Sequence, residues 1–308
     1  MSDENTSHGI RAAVVAYVLW GLLTIYWKQL AELDPFELIT WRILCATAVM
    51  AVIITIGGRW TVLMAAASDR RLVLRLLVAA LLLTANWTSY VWAVSSGHVI
   101  EAALGYFMAP LATMLLGVTV LHERATPLLK CAMALAALAV VVLTFSYGRP
   151  PVVAVIIAAS WSLYALFKRQ ISLTPIESLA GETFLLAVPA AIVAVVMSGH
   201  GGSIPGSADG RQWALVAFSG VVTAVPLLLF SYAAQRVPFT LLGALQYLVP
   251  TINLALGWFV YDESMPADRV VGFALVWTAL AAVTVDQVRR SGADRRARAA
   301  ALTPVVPG

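Results

Sequence analysis

Charge is scarce in this chain. Lys, Arg, Asp and Glu make up 12% of 308 residues while 61% are hydrophobic, and the mean hydropathy is +0.86. A soluble domain has about a quarter charged residues, so too little polar surface remains here to cover a water-soluble globule. Cysteine is equally sparse: Cys45 and Cys131 both sit inside apolar runs, which indicates neither a disulfide framework nor a metal site. No Gly-Lys-Ser/Thr phosphate loop occurs, so ATP is not the direct energy source. No aspartate falls in the middle of an apolar run, and there is no His/Glu metal pattern or nucleophile beside a base. These absences argue against a membrane-embedded enzyme. The net charge of +4 does not form a nucleic-acid face, because the basic residues sit in short connections and in the tail from Arg289 to Arg298. No cofactor is called for.

What fills the chain is long apolar runs. Ten are placed at about 11–29, 36–56, 72–93, 99–121, 127–145, 150–168, 177–198, 212–234, 239–260 and 268–286, each near the ~20 residues that cross a hydrocarbon core. The longest connections, 57–71 and 199–211, read as surface loops rich in Gly, Ser or Arg. The first run follows an acidic start and has no small-residue cleavage site, so it is expected to be a retained helix. Lys and Arg number 15 on the side holding both termini and 4 on the other. By the positive-inside rule both termini are cytoplasmic and the lipid bilayer is the solvent.

The two halves repeat at an offset of 140 residues: Lys28 with Lys168, Pro35 with Pro175, Glu37 with Glu177, Pro110 with Pro250, Gly117 with Gly257, and Glu123 with Glu263. Overall identity between the halves is no better than chance, and the signal lies in rare residue types falling into one gap-free register. Each half holds five runs, an odd number, so the second enters the membrane from the opposite face. The expected fold is therefore an all-α polytopic membrane protein of ten transmembrane helices in two inverted five-helix repeats. The halves are 1–146 and 147–288, followed by a basic cytoplasmic tail, 289–308. Inverted repeats recur in secondary transporters, which carry their site near the bilayer middle.

Polar groups inside the runs need a reason, since a charge at a helix centre costs about 2.5–3.5 kcal/mol on insertion scales. Arg42 and Glu182 occupy equivalent positions of the repeat. Arg42 is expected to hold an anionic group, and Glu182 to bind a cation or carry a coupling proton; the alternative is that both snorkel or pair with backbone carbonyls. Asn86, Ser89 and Tyr90 share one face of the third run, with Trp87 and Trp92 directed elsewhere and Trp92 near an interface. Pro110 and Pro250 interrupt the fourth and ninth runs at corresponding positions, each removing a backbone donor. Paired interruptions of this kind point to a central site, so Tyr106, Gln246 and Tyr247 join the substrate residues, with Asn253 one turn on. His98 and Glu101 read as a solvated interfacial pair, with a proton relay as the alternative, and Glu123 and Glu263 as groups that cap or neutralise nearby backbone and basic groups. Small residues at Ala132, Ala136 and Ala139, and at Ala274, Thr278 and Ala282, allow close helix packing; a homodimer seam and intramolecular packing both remain open.

Several stretches resemble a known family. They are NWTSYVWAVSSGHVIEAALGYFMAPLATMLLG (86–117), HERATP (122–127), AYVLWGLLTIYWK (16–28), Trp41-Arg42, and GVVTAVPLLLFSYAAQRVPFTLLGALQYLVPT (220–251). Together they are similar to the RarD family of EamA-type transporters, in the drug/metabolite transporter superfamily. The resemblance spans nearly the whole chain and implies a ten-helix permease of the cytoplasmic membrane with a central cavity. It supplies no residue set, so Arg42, Asn86, Tyr90, Tyr106, Gln246, Tyr247 and Asn253 for substrate, and Glu182 for coupling, rest on the physical reading. An aromatic-rich cavity (Trp87, Tyr90, Tyr106, Tyr247) with few charges suits a small amphiphilic metabolite, an aromatic amino acid or a drug-like molecule as partner, with proton coupling open. A channel or scaffold is the alternative, and a polytopic enzyme comes last.

Overall fold

The computed structural model describes residues 3–147, 150–199 and 203–261, with the isolated positions 274, 277, 278, 281, 282 and 285. Most of the tenth expected span, Glu263 and the basic tail lie outside the described residues. Among those described, all regular structure is helical: α1 (Asp3–Lys28), α2 (Pro35–Ile56), α3 (Trp60–Ser68), α4 (Arg70–Ser95), α5 (Val99–Thr119), α6 (Pro127–Tyr147), α7 (Val152–Gln170), α8 (Pro175–Ser198), α9 (Ile204–Ser207), α10 (Gly210–Ala234), α11 (Phe239–Gln246) and α12 (Leu248–Phe259). Among the described residues, eight candidate spans are long and apolar enough to cross a membrane, with α11 and α12 forming one of them. The fifth expected span falls on helix α6, whose apolar stretch Pro127–Val142 is shorter than those eight.

Local chemistry explains where the helices begin. Asp34 caps α2 by accepting the Glu37 N–H at 2.8 Å, with Pro35 in the first turn. Thr174 caps α8 in a reciprocal capping box with Glu177, again with Pro175 in the first turn. Each device satisfies donors that a helix start leaves unpaired. Asp209 and Gln212 form a second capping box at α10.

Two expected loops prove to be partly helical. The 57–71 connection contains α3, whose Leu63 and Ala66 are buried against the main core; a short amphipathic turn satisfies its own backbone better than an open loop. In the 199–211 connection, α9 is seated by Ile204, whose N–H donates to Glu37 Oε2 at 2.8 Å. The interruption at Pro250 appears as a break at Tyr247 between α11 and α12. Its counterpart Pro110 is carried within a continuous α5.

Packing runs largely between the halves. Helix α4 lies on α7 and α10 on α1; α5 packs on α7 and on α11, while α2 lies against α8 and α10. Two crossings depend on glycine. A Cβ at Gly220 would stand 2.4 Å from the Cys45 carbonyl oxygen, and one at Gly243 would stand 2.6 Å from that of Pro110. In each case backbone meets backbone, and small residues are what allow such approach. Ala132 and Ala136 are fully buried in the main core, so this part of the α6 stripe serves intramolecular packing. The outer surface is apolar instead, with Val188, Val195 and Phe145 exposed at 67%, 72% and 82%, as in a chain whose exterior solvent is hydrocarbon.

Candidate functional site

The helices enclose a cavity of about 540 Å³ lined from both halves of the chain, within the roughly 300–1,000 Å³ usual for small-molecule sites. It reaches from Gln246 and Pro250 to Leu33 and Pro35 of the α1–α2 connection and to Ser95 at the end of α4. Arg42 is its only charged lining residue among those described. The Arg42 Nε donates to Thr223 Oγ1 at 2.7 Å. Its guanidinium carbon stands 3.9 Å from the ring centroid of Trp87 and 4.8 Å from that of Trp27. Cation–π contact with two indoles replaces the counter-ion that such a group ordinarily has.

The other polar groups converge on the same space. Asn86 is buried, and its Nδ2 donates to the Ile157 carbonyl at 2.8 Å and to Ser160 Oγ at 3.2 Å. Tyr90 and Tyr106 meet edge to face with centroids 5.4 Å apart. Asn253 Oδ1 accepts from Thr24 Oγ1 at 2.9 Å. The Gln246 Nε2 donates to Thr113 Oγ1 at 3.3 Å, while Gln246 Oε1 is buried with no partner among the described residues. The structure thus brings Arg42, Asn86, Tyr90, Tyr106, Gln246 and Asn253 to one cavity.

Two expected site residues lie elsewhere. Tyr247 is 1% exposed and packed behind the cavity wall, its hydroxyl donating to the Phe107 carbonyl at 3.3 Å. Glu182 lies in a separate buried cluster on α7 and α8. Its Oε1 accepts from Lys168 Nζ at 2.6 Å and from Ser178 Oγ at 3.0 Å, and its Oε2 from the Tyr164 hydroxyl at 3.2 Å. Between cluster and cavity stands an aromatic layer in which Trp161 meets Trp20 at 5.2 Å and Phe230 at 4.8 Å.

Sequence reasoning turned Trp87 away from the Asn86 face while counting it in an aromatic-rich cavity, and both residues line the cavity. A wide cavity embraces more of a helix than one stripe. It also overlooked Trp27, Thr223 and Lys168. Lys168 reaches Glu182 through its long side chain, although α7 packs chiefly on α5 and α4 and α8 on α2. The His98–Glu101 expectation is corrected. Glu101 is buried and caps α7 by accepting the Val153 N–H at 2.6 Å, and His98 stacks on Trp92. Glu123 does cap backbone, accepting from the N–H groups of Phe239 and Thr240 at 2.6 and 2.9 Å at the start of α11.

A bundle of membrane-length helices around a largely aromatic and apolar cavity holding a few polar groups, with an apolar exterior, defines a multi-pass membrane protein of the transporter class. The chain belongs to the EamA-like transporter family, whose model matches residues 7–145 and again 150–285. It is 36% identical over 307 residues to Protein RarD of Streptomyces exfoliatus, covering 99% of this chain and 97% of that one. It is 35% identical over 298 residues to the Uncharacterized transporter YojE of Bacillus subtilis (strain 168), covering 96% and 99%. A solved crystal structure matches with a TM-score of 0.70 at 19% identity, over 91% of this chain and 98% of that one, a likeness of fold alone.

Proposed function

We propose that this chain is a secondary-active carrier of small amphiphilic molecules, working by alternating access of two inverted halves in the cytoplasmic membrane. The observation that carries the reading is the cavity of about 540 Å³ holding one guanidinium with no counter-ion among the described residues, open toward one end of the bundle and stopped by aromatic rings at the other. The 140-residue register and the double match of the family model at 7–145 and 150–285 support the division into 1–146 and 147–288. So do the exchanged pairings. Helix α4 on α7 answers α10 on α1, and Glu37 holds the turn after α8 as Glu177 holds Arg59 after α2 at 2.7 Å.

The basic-residue bias, 15 against 4, supports cytoplasmic termini, and the cavity then faces outward. Alternation closes the Arg42 side and opens the repeat-equivalent space around Glu182, which is the proposed coupling carboxylate. Counterflow in proteoliposomes tests the reading, using a pooled panel of labelled metabolites and chloramphenicol with and without a pH gradient. Saturable counterflow establishes a carrier; a folded protein that moves no panel member favours a channel or a scaffold.

A further inference from the structure

We infer that the cavity selects net-monoanionic substrates, namely carboxylates with a flat apolar body and at least one N–H or O–H donor. The inference rests on the carrier reading of the same cavity and narrows its substrate class. Three observations converge on it.

The first is the uncompensated guanidinium. Arg42 gives its Nε to Thr223 and makes no ion pair among the described residues, and its two Nη groups have no protein partner there. The fork that remains matches a carboxylate in two parallel hydrogen bonds. The Trp27 and Trp87 rings stand 4.8 and 3.9 Å from its carbon and Thr223 holds its Nε, so its position is restricted before any ligand arrives.

The second is the exclusion of positive charge. No acidic side chain among the described residues lines the cavity, so an ammonium entering it would be desolvated beside Arg42 without a counter-charge. The indole faces nearest the site already serve Arg42 and offer a second cation little. Cations and zwitterions are therefore disfavoured relative to monoanions.

The third is an orphaned acceptor. Thr113 Oγ1 donates to the Ala109 carbonyl at 2.9 Å, which uses its only proton, so it can only accept from Gln246. That fixes the Gln246 amide with Nε2 toward Thr113. Gln246 Oε1, on a side chain in a residue 5% exposed, is left without a partner in the wall of the cavity. A buried acceptor lacking a partner is costly, and a ligand N–H or O–H satisfies it.

The test uses the purified full chain in detergent and a matched set built on one aromatic body. The set is 3-phenyllactate, its deoxy analogue hydrocinnamate, phenyllactamide, phenylalanine and phenethylamine, each titrated calorimetrically. Phenyllactate is expected to bind about 10- to 100-fold more tightly than the amide, the span of a charge-assisted hydrogen-bond pair. The zwitterion and amine bind more weakly still. Arg42→Gln brings acid and amide to within about 2-fold of each other. Gln246→Leu abolishes the preference for phenyllactate over hydrocinnamate and keeps that for acid over amide. If Arg42→Gln does not yield folded protein, Arg42→Lys, which keeps the charge and loses the fork, is expected to show a reduced acid preference. Equal binding of amide, zwitterion or amine overturns the inference, as does no binding by either acid or an acid preference unchanged in both Arg42 variants. Counterflow on the same set separates the two readings. Transport of neutral or cationic members alone leaves the carrier and removes the anion site. Acid binding without counterflow leaves the anion site and removes the carrier.

Discussion

Lys168 Nζ and Glu182 Oε1 stand 2.6 Å apart, with side chains 0% and 1% exposed. In the 140-residue register their counterparts are Lys28 and Arg42. Lys28 lies over the Tyr261 ring at 3.3 Å and Arg42 lines the cavity. Lys28 is exposed and Arg42 faces the cavity, whereas Lys168 and Glu182 are buried and neutralise each other.

Breaking one partner of a buried ion pair costs about 3–5 kcal/mol, because it strands the other charge, whereas replacing both with apolar residues can be nearly neutral. Lys168→Met and Glu182→Gln are each expected to lower the thermal midpoint in detergent, and Lys168→Met/Glu182→Leu to recover most of it. If Glu182 also carries the coupling proton, the double variant moves substrate without responding to a pH gradient. Flux through it that is still fully gradient-driven would remove the coupling role.

Trp87 flanks the Arg42 guanidinium at 3.9 Å. Removing one cation–π partner costs about 0.5–2 kcal/mol, so Trp87→Leu should weaken carboxylate binding by about 2- to 30-fold. Membrane yield should hold, because Trp27 still packs on the guanidinium. Calorimetry on the purified variant reads the affinity directly.

Tyr247 donates to the Phe107 carbonyl behind the cavity wall. Tyr247→Phe should therefore lose about 0.5–1.5 kcal/mol of stability and leave ligand affinity unchanged. A large affinity loss with unaltered stability would place Tyr247 at the substrate after all.

At Gly220 the obstacle to any side chain is the Cys45 carbonyl, at 2.4 Å from an added Cβ. Backbone cannot rotate away as a side chain can, so Gly220→Ala should separate α10 from α2 at a cost of about 1–3 kcal/mol. A lower melting temperature and reduced membrane yield are the expected readouts; wild-type values for both would show that the helices have room to shift.

Glu123 accepts two backbone N–H groups and the Thr240 hydroxyl at the start of α11. Hydrogen bonds to a charged acceptor contribute about 1.5–3 kcal/mol, so Glu123→Ala should lower stability by that order. The preference among ligands should be untouched, since Glu123 does not line the cavity. A changed ligand preference measured by calorimetry would count against a purely capping role.

Much of this protein was written in its composition and periodicity. A chain with 61% hydrophobic and 12% charged residues must solve its backbone hydrogen bonding within each crossing segment, and helices do so. The candidate spans therefore followed from run length alone, while the helix starts at Pro35 and Pro175 are fixed by capping that the structure shows. Arg42, Asn86, Tyr90, Tyr106, Gln246 and Asn253 were legible as a set because polar groups in apolar runs are few and need a reason. Tertiary structure alone decided which of them share one space. It drew Tyr247 into the wall and gave Glu182 to Lys168. It also set Trp27, Trp87 and Thr223 around Arg42. The reason is physical: the cost of a buried polar group is a local property that the sequence exposes. Its partner is chosen by how helices distant in the chain cross, and those crossings depend on contacts as fine as Gly220 against the Cys45 carbonyl.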